Sequence, residues 1–198
     1  MKKNLLGLSV IAMTTLALSG TAAGSDVAAG SDTNVNVNFT AYLTETTCDM
    51  KLVGGTGSDT KQTLKIGDSN GEVRLESVVA GTATAKFKIA IVECPASLQS
   101  LKTTVKGTPA SAMVTGLVNQ ITVANGGANW AAVTVARESK PEAPFKINST
   151  TDSERLVWTA TEITNKEVPL VATLRETSAG KMTLGTFQAV ATFEFTYE

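Results

Sequence analysis

Few residues of the chain could take part in catalysis, metal binding or redox chemistry, and the two cysteines are considered first. Cys48 and Cys94 are the only cysteines in 198 residues, and the chain has no histidine. Without histidine the chain has no His-dependent catalytic triad, no His-ligated zinc and no imidazole general base. The two cysteines are too far apart for a CxxC redox motif. A structural disulfide and two free thiols remain as the alternatives.

The acidic residues form no obvious catalytic pair. Glu142, Asp152, Glu154 and Glu162 stand in turn-rich or polar surroundings, which are typical of solvated surface positions. The segment 68–71, Asp-Ser-Asn-Gly, lacks the twelve-residue ligand pattern of a calcium loop and predicts a hairpin turn instead. We therefore expect no catalytic residue, no metal and no cofactor.

The charge and the N-terminus narrow the class of protein. Lys and Arg number 17 and Asp and Glu 18, with no basic stripe of the kind that nucleic-acid binding needs, so we expect no nucleic-acid partner. Two lysines followed by the apolar run 5–18 and small residues to Ala23 predict a signal peptide over 1–23, without a membrane span. Export to an oxidising compartment favours the disulfide between Cys48 and Cys94.

Short alternating runs separated by turn signals predict an all-β antiparallel sandwich of one domain. No helical pattern longer than a turn or two follows the signal peptide. The expected strands cover the following residues: 35–43, 63–66, 85–91, 101–106, 120–124, 130–137, 145–148, 156–159, 168–175 and 187–197.

The two ends of the mature chain carry the longest apolar alternations. The N-terminal set is Val35, Val37, Phe39, Ala41 and Leu43, and the C-terminal set is Phe187, Ala189, Ala191, Phe193, Phe195 and Tyr197. The two sets are either ordinary strands of one sandwich, or one of them is a strand meant for another molecule. Donated strands use backbone ladders for affinity and alternate side chains for specificity.

The pattern resembles the pilin subunits of chaperone–usher fimbriae. Phe39-x-Ala41-x-Leu43 before Cys48 is similar to the pilin N-terminus, although Ala41 stands where that family usually has Gly. Phe87-x-Ile89-x-Ile91 before Cys94 is similar to the strand with the second pilin cysteine. Gly185, fourteenth from the end, and the penultimate Tyr197 complete the resemblance.

The resemblance implies an incomplete immunoglobulin-like β-sandwich completed by a strand from another subunit. It implies a donor arm over 24–43, bearing the N-terminal apolar set, and a pilin domain over 44–198 joined by the disulfide. The C-terminal set would form the acceptor groove, which a periplasmic chaperone contacts first. The implied partners are that chaperone, an outer-membrane usher and neighbouring fimbrial subunits, and the implied location is the cell-surface fimbrium, reached through the periplasm.

Two other functions compete with a structural subunit that supports cell adhesion. One is a self-contained, secreted carbohydrate-binding sandwich, in which Trp130 or Trp158 stacks on a sugar. Both tryptophans lie in strand-like runs, where core packing is the alternative to ligand binding. The other is an exported hydrolase, for which the residues give little support because no nucleophile has a histidine partner.

Overall fold

The computed structural model describes residues 34–43 and 48–197, and these ranges contain mainly short strands. The predicted signal peptide, residues 24–33 of the predicted arm and Glu198 lie outside the described residues. The strands are β1 (Asn34–Leu43), β2 (Asp49–Val53), β3 (Thr56–Gly57), β4 (Lys61–Lys65), β5 (Glu72–Arg74), β6 (Thr84–Glu93), β7 (Leu101–Lys106), β8 (Pro109–Ala110), β9 (Met113–Val118), β10 (Ala131–Arg137), β11 (Leu156–Val157), β12 (Glu167–Glu176) and β13 (Gly185–Tyr197).

Helices within these ranges are short: α1 (Leu75–Val79), α2 (Ala160–Asn165) and a 3-10 turn at Val123–Asn125. Thr159 caps α2 by accepting a hydrogen bond from the Glu162 amide, while the Glu162 side chain accepts one from the Thr159 amide. No helix of the described residues is both long and apolar enough to cross a membrane.

The strands form two sheets. The first has the order β11-β7-β13-β1-β4-β3, with β5 also pairing with β1, and the second has the order β2-β6-β12-β10-β9-β8. Apolar residues alternate along the long strands, as in β13, where every second side chain is buried. These side chains meet between the sheets and form one hydrophobic core. The predicted all-β sandwich is therefore confirmed.

The disulfide Cys48–Cys94 is present in the second sheet. Cys48 immediately precedes β2 and Cys94 immediately follows β6, and these two strands pair antiparallel with Asp49 opposite Glu93. The bond therefore joins the adjacent ends of two neighbouring strands.

Two predicted strands are wrong. Residues 120–124 form a bend and the 3-10 turn, because Asn119 fastens this loop to β13: its Oδ1 accepts from the Gln188 amide and its Nδ2 donates to the Thr186 carbonyl. Residues 145–148 are irregular because their amides donate to carbonyls of four separate segments, at Val135, Glu154, Val114 and Val105. Their apolar alternation reflects the burial of Phe145 and Ile147 in the core.

The strands β2, β3, β5, β8 and β9 were not predicted. Three of them, β3, β5 and β8, have only two or three residues, which are too few to show an alternation. The strands β2 and β9 are defined by their pairing with β6 and with β8 and β10.

Candidate functional site

Strand β1 is the centre of the first sheet. It pairs in parallel with β13, with Val35 opposite Gly185 and Leu43 opposite Phe193. On its other side it pairs antiparallel with β4 and β5. Within the described residues, β1 is the only strand that joins β13 to β4, so its removal would leave strand edges open on both sides.

The inward face of β1 reaches the core of its own chain. Val37 and Phe39 are completely buried, Ala41 is 4% exposed, and Leu43 packs partly buried against the same core. Asn38, which lies between the buried residues, is exposed. The residues predicted to fill a neighbour's groove therefore lie, from Val37 to Leu43, in the core of this chain.

The predicted acceptor residues lie directly beside β1. Phe187, Ala189, Ala191 and Phe193 are completely buried, Phe195 is 7% exposed, and Tyr197 packs partly buried against the core. The predicted acceptor residues thus lie on the buried face of the strand that pairs with β1. In the single chain, residues 34–43 occupy the position that the resemblance assigns to a strand from another molecule.

Three aromatic rings fix the middle of this site. The Phe39 ring lies 6.2 Å from that of Phe87, which projects from the opposite sheet on β6, and the Phe87 ring lies 5.8 Å from that of Phe193. Tilted pairs at these distances are favourable beyond the area they bury. Phe87 of the second sheet therefore links Phe39 of β1 to Phe193 of the final strand.

Ala41 departs from the usual pilin glycine, and the fold accommodates its methyl group. The residue is buried beside a small cavity whose wall also includes Leu52, Leu64 and Phe87. Glycine is therefore not required at this position. The groove of this chain admits the extra methyl group without displacing β1 from its register with β13.

Gly185 is the first residue of β13 and lies opposite Val35, near the start of β1. Its φ of 148° is one that residues with a Cβ rarely adopt, and a Cβ there would lie 2.6 Å from the Ala128 nitrogen and the Gly126 carbonyl oxygen. This close approach allows the Thr186 amide to donate to the Gly126 carbonyl. The glycine singled out in the sequence is therefore required by backbone contact.

Three of the acidic residues considered in the sequence, Asp152, Glu154 and Glu162, make structural contacts. Glu162 pairs with Arg137 at 2.8 Å as well as capping α2. The Arg155 guanidinium hydrogen-bonds Asp152 and lowers the pKa of that carboxyl, and the Ser149 hydroxyl does the same for Glu154. No group of three or more Cys, Asp or Glu side chains within 34–43 and 48–197 is arranged to hold a metal ion.

The tryptophans have different environments. Trp158 is 4% exposed, and its indole Nε1 donates to the Thr103 hydroxyl at 2.9 Å, so it belongs to the core. Trp130 is 39% exposed and lies outside the core. Of the two residues proposed to stack on a sugar, only Trp130 has an accessible ring.

Among known proteins, one curated sequence and two solved structures illustrate what the chain is similar to. The chain is 27% identical over 175 residues to the uncharacterized fimbrial-like protein YadM of Escherichia coli strain K12, covering 84% of this chain and 88% of that protein. Among solved structures, the P pilus rod subunit PapA is 19% identical with a TM-score of 0.47, covering 78% of this chain and 96% of PapA. A type I fimbria protein and antigen of Burkholderia pseudomallei is 20% identical with a TM-score of 0.38, covering 80% and 90%.

The family assignment rests on the sequence as a whole. The model of the family described as Fimbrial protein matches residues 37–198, which include the buried part of β1, both cysteines and all of β13. Proteins of this family are structural subunits that associate with other subunits in a cell-surface fimbrium, and they are not enzymes. The chain belongs to the fimbrial protein family.

Proposed function

We propose that the chain is a fimbrial subunit that polymerises by donor-strand exchange, with residues 34–43 of one subunit replacing β1 beside β13 of the next. The observation that carries this proposal is the central place of β1 between β13 and β4. Because every subunit has the same groove and the same strand, an exchange between copies reforms the contacts that it breaks. Swapping an identical element in this way is a low-cost route to assembly.

The lack of a covalent cross-link between β1 and the rest of the sandwich supports this proposal. The strand ends at Leu43, and the disulfide that anchors the following strand begins at Cys48. All contacts of β1 with the sandwich are therefore non-covalent, apart from the chain that leaves it at residue 43. The strand can leave the groove without breaking a covalent bond, and its buried side chains then become available to another copy.

An emptied groove would need a partner before assembly. Removing β1 exposes the apolar face of β13 and the backbone edges of β13 and β4, and such a surface aggregates. We propose that a periplasmic chaperone supplies a strand to this groove after export, and that an outer-membrane usher then mediates its replacement by the arm of the next subunit. The resulting filament supports adhesion of the cell that carries it.

The experiment uses Phe39→Asp as a subunit that can accept a strand but cannot donate one. The charge would be buried without a partner in any groove that the arm enters, which is strongly unfavourable. Co-expressed with the wild-type subunit, Phe39→Asp should shorten surface filaments in proportion to its share, as measured by electron microscopy. Asn38→Asp is the matched control, because Asn38 is an exposed neighbour on the same strand.

The filament lengths of the two variants test donor-strand exchange. Asn38→Asp should join filaments of normal length. Filaments of normal length built from Phe39→Asp alone would contradict donor-strand exchange. A Phe39→Asp subunit that is incorporated throughout mixed filaments without shortening them would contradict it as well.

A further inference from the structure

A cleft of about 330 Å³ lies beside the first residues of β13 and takes no part in the strand pairing described above. The turn between β8 and β9, the 3-10 turn at Val123–Asn125 and the segment before β10 form its walls. Its lining includes the apolar side chains of Ala110, Val118, Ile121 and Val123, together with the ring of Trp130. None of the lining residues belongs to β1.

Trp130 has a backbone conformation that bulky residues rarely adopt. Its φ is +54°, in the left-handed region that favours glycine and asparagine. Hydrogen bonds hold it there: its amide donates to the Asn129 Oδ1 at 2.9 Å, and its carbonyl accepts from the Thr177 amide at 2.8 Å. Strain retained at an exposed residue, where a smaller residue would fit more easily, points to a use for the side chain.

The indole of Trp130 contacts one cation and lies at an exposed position. The Lys181 ammonium lies over the ring, 5.1 Å from its centroid, and makes a cation–π contact. The residue as a whole is nevertheless 39% exposed, and it is part of the cleft wall. Trp130 therefore lies where a ligand in the cleft can reach it.

The polar groups of the cleft are neutral hydrogen-bonding groups. Ser111, Thr122 and Thr177 are among the lining residues, and their hydroxyls make no hydrogen bond with any other described residue. The Asn119 side chain is different, because its amide already bonds four backbone groups. No charged side chain is among the described residues of the lining.

We propose that this cleft binds a neutral pyranose sugar, with Trp130 stacking on the apolar face of the ring and the hydroxyls bonding its hydroxyl groups. An apolar concave site with a few neutral hydrogen-bonding groups and one exposed aromatic ring matches the two-sided chemistry of a sugar. The proposal goes beyond strand exchange and does not depend on it. Repetition of the cleft along a filament would raise the avidity for glycan-bearing surfaces.

The test is nuclear magnetic resonance titration of the mature chain with the methyl glycosides of mannose, galactose, N-acetylglucosamine and glucuronic acid. We expect at least one neutral glycoside to shift the indole N–H signal of Trp130 and to leave that of Trp158 unchanged. The charged glucuronide separates general sugar binding from attraction to Lys181: binding of the glucuronide alone would overturn the proposal of a neutral ligand.

Two variants of Trp130 separate binding from folding. Trp130→Gly should weaken sugar binding by about tenfold or more through loss of the stacking ring. Its melting temperature should be unchanged or higher, because glycine adopts a positive φ without strain. Trp130→Tyr should retain most of the affinity. Val79→Ala, a change at a 68% exposed residue of α1, is the control that should not alter binding.

Other outcomes would overturn the proposal. They are the absence of any shift at Trp130 with every neutral glycoside, and affinity that persists in Trp130→Gly. Shorter filaments of Trp130→Gly, together with no sugar binding by the wild-type chain, would assign the ring to a contact between subunits instead.

Discussion

Strands β1 and β2 follow each other in the chain and are buried to nearly the same degree, yet they are attached very differently. Phe39 of β1 is fully buried and Leu52 of β2 is 2% exposed. The disulfide Cys48–Cys94 holds β2 against β6, whereas β1 is held in the sheet by hydrogen bonds and packing. Burial therefore does not reveal whether a strand is permanent. We propose that the mode of attachment, and not burial, separates a fixed strand from one that can be exchanged.

The largest effect is expected from removing β1 altogether. The chain that begins at residue 44 loses the burial of Val37, Phe39 and Leu43, about 5–9 kcal/mol as an upper estimate. That is comparable to the whole stability of a typical domain, about 5–15 kcal/mol. We expect this chain to be unfolded or aggregated when circular dichroism is measured, and a peptide of residues 33–43 to restore its fold.

A scrambled peptide of the same composition is the control for that experiment. It should not restore folding, because the alternation of apolar residues is what fits the groove. A chain 44–198 that melts cooperatively at the temperature of the full chain without any peptide would show that β1 is dispensable for the sandwich.

The second largest effect is expected from removing the disulfide that holds β2 to β6. Replacing both Cys48 and Cys94 by Ala removes a cross-link that closes a long loop and should destabilise the chain by about 4 kcal/mol in urea denaturation. Exchange of β1 should continue in this variant as long as the domain stays folded, because the disulfide lies in the other sheet. Loss of exchange from a folded Cys-free domain would contradict the separation between the two strands.

A smaller effect is expected at Ala41. Ala41→Gly restores the residue that the resembling family usually has, but it removes a buried methyl group and adds backbone freedom. We expect a loss of about 1–2 kcal/mol in the free energy of unfolding. Asn38→Ala, a change at an exposed position of the same strand, is the control and should stay near zero. Stabilisation by glycine would mean that the methyl group is strained in the groove.

The smallest effect concerns the turn between β4 and β5, two strands that pair with the same side of β1. The Glu72 and Asn70 amides donate to Asp68 Oδ1 and lower the pKa of that carboxyl. A carboxyl with a depressed pKa in the folded state stabilises the fold above its unfolded pKa, and this stabilisation is lost as the pH falls through its folded pKa. Asp68→Ala should therefore lower the melting temperature slightly at pH 7 and less at pH 3. An equal decrease at both pH values would mean that the charge plays no part.

The sequence was sufficient for the fold class, because alternation along β13 and the pattern before Cys48 reflect burial directly. The direction of β1 could not be predicted from these residues. A period of two is the same in either direction, so Val37, Phe39 and Ala41 fit a parallel or an antiparallel neighbour equally well.

The exposed environment of Trp130 could not be predicted for a different reason. A strand-like context predicts the same environment for both tryptophans. The Trp130 backbone, however, is held in its left-handed conformation by the Asn129 side-chain oxygen and the Thr177 amide, and Trp130 lies outside the core. The backbone conformation of segment 145–148 could not be predicted from local sequence either. Its burial was visible in its alternation, but its hydrogen bonds go to distant segments that no local pattern specifies.

The most direct test of strand exchange is to lock β1 into the groove of its own chain. Asn38 lies opposite Gln188 with both on the outer face, and neighbouring strands are close enough for a disulfide. The oxidised Asn38→Cys/Gln188→Cys chain should remain monomeric under conditions in which the purified wild-type chain forms polymers, as followed by gel filtration and electron microscopy. Lys106→Cys/Thr192→Cys, which locks the other edge of β13 to β7, should polymerise like the wild type. Polymerisation of the Asn38–Gln188 lock at the wild-type rate would contradict the exchange of this strand.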